Sequence, residues 1–219
     1  MKSILKGAAL AVVLALPSHA QNAGEGNVGF GLGVSTLGLT GDVSYQLNPN
    51  WTVRMLAGGG RTSQSGTISD DDTNADYRAK LNIGGIGPVV DYHPFSNGWR
   101  ISGGALLSNY RADVRISGTI EIDDTEYQNA DLRGRIRTNN RIMPKLAVGY
   151  NGSNVFGTRF GFSIDAGVLY TGGFGTTLKE RGPSDINPAD LNSLRRDIND
   201  EIGGVKFLPY VSLGLRMNF

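Results

Sequence analysis

The chain has 219 residues, a length that fits one domain, with 21 lysines and arginines against 20 aspartates and glutamates. That near balance supplies no basic excess of the kind that holds nucleic acid. The absence of cysteine excludes a disulfide framework and thiol chemistry.

The first twenty residues read as an export signal. Lys2 and Lys6 form a positive start, Gly7 to Pro17 an apolar run too short to span a bilayer, and Ser18-His19-Ala20 a small-residue cleavage site. Cleavage is expected after Ala20, dividing the chain into a signal peptide (1–20) and one domain (21–219). The domain then carries 19 basic against 20 acidic residues.

From Val28 the sequence alternates with a period of two, the signature of a strand whose faces differ. Val28, Phe30, Leu32 and Val34 begin it, and Leu37, Leu39, Val43, Tyr45 and Leu47 continue it. After the turn Asn48-Pro49-Asn50 come Trp51, Val53, Met55 and Ala57, opposed by Thr52, Arg54, Leu56 and Gly58. Tyr77, Ala79, Leu81 and Ile83 oppose Arg78 and Lys80; the phase then slips at Gly84-Gly85 and resumes as Ile86, Pro88, Val90 and Tyr92. Such a slip at paired glycines predicts a β-bulge. Further alternating runs start at Trp99, Ile142, Phe160 and Val205, giving eight strands in all.

The connections alternate in length. Those at 48–50, 93–98 and 151–158 are short, while 62–76, 109–140 and 171–204 are long and polar. In the second long link, "VRISGTIEI" and "LRGRIRT" keep alternating and predict a hairpin. The third predicts a helix from Pro188 to Ile202, capped by Asn187 and stopped by Gly203-Gly204. Its apolar stripe of Leu191, Leu194, Ile198 and Ile202 is expected to pack on the hairpin or on the mouth of a barrel.

A soluble sandwich and a membrane barrel both satisfy this pattern, one with its apolar faces inward and the other with them outward. The aromatics Tyr45, Trp51, Tyr92, Phe95, Trp99, Tyr150, Phe160 and Phe219 all lie beside a short turn or the final residue, hence at one level. Amphipathic rings gather so at a lipid headgroup boundary, whereas a sandwich core spreads them. The opposite face mixes glycine and serine with Asp42, Arg54, Arg78, Lys80, Asp91, Arg100, Lys145, Arg159, Asp165 and Arg216. An eight-stranded interior is just wide enough to be filled by side chains, so these charges are expected to pair there. The expected fold is all-β: a closed antiparallel eight-stranded transmembrane barrel with short periplasmic turns, long extracellular loops and one loop helix.

The ending "FLPYVSLGLRMNF", with Tyr210, Leu213, Leu215, Met217 and Phe219, resembles the C-terminal insertion signal of bacterial outer-membrane β-barrels. With "DYHPFSNGWRISGGAL" it is similar to the small eight-stranded barrels grouped around OmpA and OmpW. The resemblance implies an integral outer-membrane location, contact with lipid and lipopolysaccharide, and recognition by the barrel-assembly machinery. It carries no catalytic motif, and a monomer is expected.

For chemistry the domain offers one histidine, His93, beside a proline in a short turn, which suits scaffolding better than general-base catalysis. No His and Cys cluster has metal spacing, and the acidic run Ser69 to Thr73 lacks the ligand spacing of a calcium loop. No enzyme activity, cofactor or metal is expected. The functional expectation is a structural barrel or a narrow conduit for small solutes or ions. A surface-binding protein displaying its loops is the alternative, and a lipid-modifying enzyme dependent on His93 stands last. Seven bases against three acids on the inward face would make any leak prefer anions.

Overall fold

The computed structural model describes residues 28–219 apart from 71–72, 96, 123–124, 153–159 and 183–185. The export signal and its cleavage site after Ala20, together with Asp71, Asp72 and Arg159, therefore lie outside the described residues.

Among the described residues eleven strands and one helix follow in chain order. They are β1 (Val28–Ser35), β2 (Gly38–Asn48), β3 (Trp51–Asp70), β4 (Thr73–Tyr92), β5 (Trp99–Ser108), β6 (Arg111–Ile122), β7 (Thr125–Thr138), β8 (Ile142–Gly152), β9 (Phe160–Tyr170), β10 (Phe174–Glu180), α1 (Pro188–Gly203) and β11 (Phe207–Asn218). Eight of these strands close on themselves in the order β1, β2, β3, β4, β5, β8, β9, β11 and back to β1, every pair antiparallel. Closure removes the unpaired edges that an open sheet would leave.

The lower rim is built from local turn chemistry. Asn48 Oδ1 accepts hydrogen bonds from the backbone of Asn50 and Trp51, both at 2.9 Å, and fixes the turn into β3. At the upper rim Gly38 closes the β1–β2 turn with φ +94°, and its backbone packs against Gly59, an approach no side chain would survive. Leu37 in that turn does not join the outward apolar face. It swings into the barrel and is wholly buried, because the two-residue turn leaves the strand alternation.

Three strands lie outside the ring. β6, β7 and β10 add to the upper half of β4, so a sheet in the order β3, β4, β6, β7, β10 rises above the barrel. The predicted hairpin is thus β6–β7. The link at 62–76 is not a loop: β3 and β4 pair without interruption from Trp51↔Tyr92 to Asp70↔Thr73. The third long link likewise contains a strand, β10, besides its helix.

That unbroken register also corrects the expected bulge. Gly58↔Gly85, Gly59↔Gly84 and Gly60↔Ile83 are consecutive pairs, with no inserted residue. The glycines instead mark where β4 changes partner, from β5 at Gly85↔Ser108 to β6 at Asn82↔Arg111. Asn109 N–H donates to Gly84 O at 3.0 Å across the join. Because the phase does not slip, Arg78 and Lys80 stay on the face of Ile86, Pro88 and Val90 and stand exposed above the barrel. They are not lumen residues.

The helix begins as its sequence predicts. Asn187 accepts a hydrogen bond from Ala189 N–H at 3.0 Å, Pro188 follows, and the helix runs one residue past the expected end, to Gly203. Leu191 and Leu194 pack with Ile186 against Ala75, Ile120, Ala130 and Leu132, which places the stripe on the extension sheet. Asn199 caps the outer edge of β10 by accepting from Thr176 N–H at 2.8 Å. Removing the cap with Asn187→Ala should cost about 0.5–2 kcal/mol of local stability. Amide exchange across 188–203 would show it, with the barrel unaffected.

Candidate functional site

Inside the ring the described side chains form two layers. The lower is ionic. Arg54 Nε lies 2.6 Å from Asp91 Oδ2, and its Nη2 donates to Asp91 Oδ1 at 2.9 Å. Ser102 Oγ donates to the same carboxylate at 2.6 Å, and Arg100 Nε lies 3.9 Å from it. Arg100 Nη2 reaches both oxygens of Asp165 at 2.9 Å and Ser163 Oγ at 2.9 Å, while its Nη1 donates to Asn151 Oδ1. Arg216 completes the layer, donating to Asp42 Oδ1 at 2.5 Å and Ser44 Oγ at 3.4 Å. Arg100 and Asp91 are 1% and 0% exposed, so neither charge is balanced by bulk water. Close ion pairing, with further hydrogen bonds to Ser102, Ser163 and Asn151, is what makes such burial tolerable.

The glycines of this face make room for those forks. A Cβ on Gly149 would collide with Asp165 Oδ1 and lie 3.1 Å from Arg100 Nε. Gly149→Ala should therefore destabilise the barrel by about 1–3 kcal/mol through overpacking, read as a lower urea midpoint.

The upper layer is apolar. Leu37, Leu56, Val89, Leu106, Met143, Ala147, Leu169 and Tyr210 form one buried cluster, with Tyr110 and Leu208 packed against it. Tyr110 Oη donates to Thr36 O at 3.2 Å. Lys145 marks the boundary between layers: its Nζ stands 4.3 Å from the centre of the Tyr210 ring and makes no hydrogen bond. A cavity of about 20 Å³ remains beside Asp42, Arg54, Leu56 and Tyr210, room for roughly one water. Among the described residues the inward charges are four bases (Arg54, Arg100, Lys145, Arg216) and three acids (Asp42, Asp91, Asp165); Arg78 and Lys80 drop out of the expected basic excess, and Arg159 lies outside the described residues.

The outer surface is apolar. Leu32, Leu39, Met55, Ile86, Leu107, Leu146, Leu213 and Leu215 are all exposed on it. Tyr45, Trp51, Tyr92, Phe95, Trp99, Phe160 and Phe219 are exposed at the lower rim. Trp51 stacks on Tyr92 with ring centres 4.8 Å apart, and Tyr150 lies between Trp99 at 5.3 Å and Phe162 at 5.8 Å. The chain ends in the same band. Phe219 N–H donates to Val28 O at 2.9 Å, its ring meets Phe30 edge-on at 5.9 Å, and Met217 pairs with Phe30 and Phe160. Tyr210, in the same terminal strand, points the other way into the apolar cluster.

His93 is half-buried in the turn after β4. Its backbone is clasped by Asn50, accepting from the Asn50 side chain at 2.8 Å and donating to Asn50 O at 2.8 Å. Burial pushes its imidazole below the ordinary range, and Nδ1 makes no hydrogen bond. Among the described residues no nucleophile is hydrogen-bonded to it. Among the described residues no group of three or more His, Cys, Asp or Glu is placed to hold a metal.

Above the barrel, Arg115 forks Asp131 at 2.7 and 2.8 Å, and these hydrogen bonds hold the Asp131 carboxyl below the usual range. A depressed pKa stabilises the fold above the unfolded value, about 3.9, and the contribution is lost as pH falls through the lower folded value. Acidification below about pH 4 should loosen the β6–β7 hairpin before the ring. Amide exchange of residues 113–135 is the readout.

No protein-family model and no curated protein sequence matches the chain. Solved structures do. CarO2 of Acinetobacter baumannii aligns with a TM-score of 0.60 at 20% identity, covering 88% of this chain and 98% of that one. CarO of the same organism aligns with a TM-score of 0.55 at 19% identity, with the same coverage. The ring closure, the outward apolar surface and this likeness agree: the chain has the fold of the small eight-stranded outer-membrane β-barrels.

Proposed function

We propose that the protein is an integral outer-membrane barrel that works as a sealed structural element rather than a conduit. Hydrocarbon meets the outward apolar face, the lower aromatics sit at the periplasmic headgroup level, and the extension sheet stands outside the cell. Export on a signal peptide cleaved after Ala20, recognition of the Phe219 end by the barrel-assembly machinery, and a monomeric state belong to this reading. So does contact with lipid and lipopolysaccharide.

The carrying observation is the apolar cluster stacked on a paired ionic layer. An ion entering the lumen would have to break Arg100–Asp165 or Arg54–Asp91 and then pass Leu106 and Met143 with its hydration shell removed. The space of about 20 Å³ beside Asp42, Arg54, Leu56 and Tyr210 holds roughly one water, too little for a hydrated ion. Planar-bilayer recording of inserted protein should show no resolvable current steps. Steady steps from the wild-type chain would overturn the sealed reading. His93, clasped by Asn50 and with no nucleophile bonded to it among the described residues, gives lipid-modifying catalysis no support.

A second reading has its own observation. The extension is a packed sheet carrying a helix and a buried apolar cluster, more structure than a sealed barrel alone requires. Surface binding through it would fall when residues 118–134 are deleted and would be unchanged if the extension were idle.

A further inference from the structure

The two faces of the extension sheet differ. One carries α1. The other is basic, and the strand registers define it. Arg78 faces Arg115, Arg115 faces Arg133, and Arg133 faces Lys179, so four cations stand directly opposite one another across four strands. Arg111 faces Arg137 nearer the barrel, beyond the intervening row of Lys80, Asp113 and Arg135. Like charges directly opposite are destabilising unless a counter-charge lies among them. Internal carboxylates offset only part of it: Asp131 takes Arg115 at 2.7 Å and Arg133 at 3.5 Å, and Asp113 takes Arg135 at 2.6 Å. Arg61, Arg78, Lys80, Arg137 and Lys179 have no carboxylate within ion-pair distance among the described residues. The groove over this face has a volume of about 1240 Å³ and is lined by nine arginines and lysines against one acid, Asp113.

The direction of the face identifies its occupant. On β3 the alternation passes from Trp51, Val53, Met55 and Ala57 to Arg61 without a break, and on β4 from Tyr92, Val90, Pro88 and Ile86 to Lys80 and Arg78. The cations are therefore the upward continuation of the barrel's outer apolar wall, not of its lumen. Arg61 stands four residues beyond Ala57, at most about 13 Å along the strand. A cation array facing sideways at that height meets the headgroup layer around the barrel rather than solutes over its mouth.

We propose that this face binds the phosphate groups of the outer-leaflet glycolipid, lipopolysaccharide. Guanidinium forks match phosphate oxygens in pairs, and the row from Arg78 to Lys179 offers several forks to a headgroup carrying more than one phosphate. The proposal rests on the reading of the outer wall as the lipid-facing surface, and is independent of whether the lumen conducts.

The test uses the full-length protein in detergent and in vesicles. Lipopolysaccharide retention is compared for the wild type and for Arg78→Gln/Lys80→Gln/Arg133→Gln, whose side chains are exposed. Heat-modifiable mobility and insertion into phosphatidylethanolamine vesicles report folding. The proposal expects both proteins to fold and insert, with the triple variant holding lipopolysaccharide about tenfold more weakly. Dephosphorylated glycolipid should bind the wild type as weakly as lipopolysaccharide binds the variant. Equal binding of both proteins, or equal binding of the dephosphorylated lipid, would overturn the proposal while leaving the membrane reading intact. Full competition by equimolar inorganic phosphate would also overturn it, in favour of a free-anion site. A wild type that fails to enter vesicles would sink the membrane reading itself.

Discussion

Arg54→Met is expected to destabilise the barrel by about 3–5 kcal/mol, because it strands a buried carboxylate. Asp91 would keep only Ser102 and a guanidinium 3.9 Å away, in a layer that water does not reach. The joint variant Arg54→Met/Asp91→Leu removes both charges and leaves Arg100 Nη2 bonded to both oxygens of Asp165. It should regain most of the loss, since a buried ion pair replaced by apolar groups of similar volume is often near neutral. Urea midpoints of the refolded protein in detergent, for the wild type, both single variants and the joint one, give the coupling. Additive losses would show that the pair does not organise the layer.

Leu106→Ala should cost about 2–5 kcal/mol, and Met143→Ala a similar amount, because each leaves a cavity in the apolar layer. The two side chains converge beside Gly85, where an added Cβ would lie 3.3 Å from Leu106 Cβ and 3.4 Å from Met143 Cε. Their effects should therefore fall short of additivity. An apolar cavity of this kind stays dry, so neither single variant is expected to conduct. Current steps from Leu106→Ala alone would mean that the seal is one side chain thick.

The ring was legible because lipid-facing and lumen-facing positions differ in composition, and a period of two exposes the difference at once. Trp51 to Ala57, Trp99 to Leu107 and Phe160 to Tyr170 mark their strands that way. The extension was harder to read. "TSQSGTI" has water on both faces, so its strand carries no apolar stripe and resembles a loop. "FGTTLKE" is only seven residues long. Glycine pairs misled in a different way. Gly84-Gly85 suggested an inserted residue, whereas they let β4 exchange one partner for another at constant register. That single inference put Arg78 and Lys80 on the wrong side.

The apolar seal left a trace that composition alone obscures. Leu106, Met143 and Leu169 each interrupt a polar face near the upper end of its strand, Leu56 does so within the barrel part of the longer β3, and the ring closure brings them into one cluster. Only the strand pairings reveal that cluster. The same holds for the ionic pairs: Arg100 and Asp165 stand on β5 and β9, which flank β8, and they meet over Gly149 rather than in the chain.

Everything rests on which way the greasy surface points, and the two tryptophans report it. Trp51 and Trp99 are exposed on the outer wall at the lower rim. In vesicles containing lipids brominated along the acyl chain, their fluorescence should be strongly quenched, while aqueous iodide quenches little. A protein that stays monomeric in buffer without detergent, with both tryptophans untouched by the brominated lipid, would contradict the account.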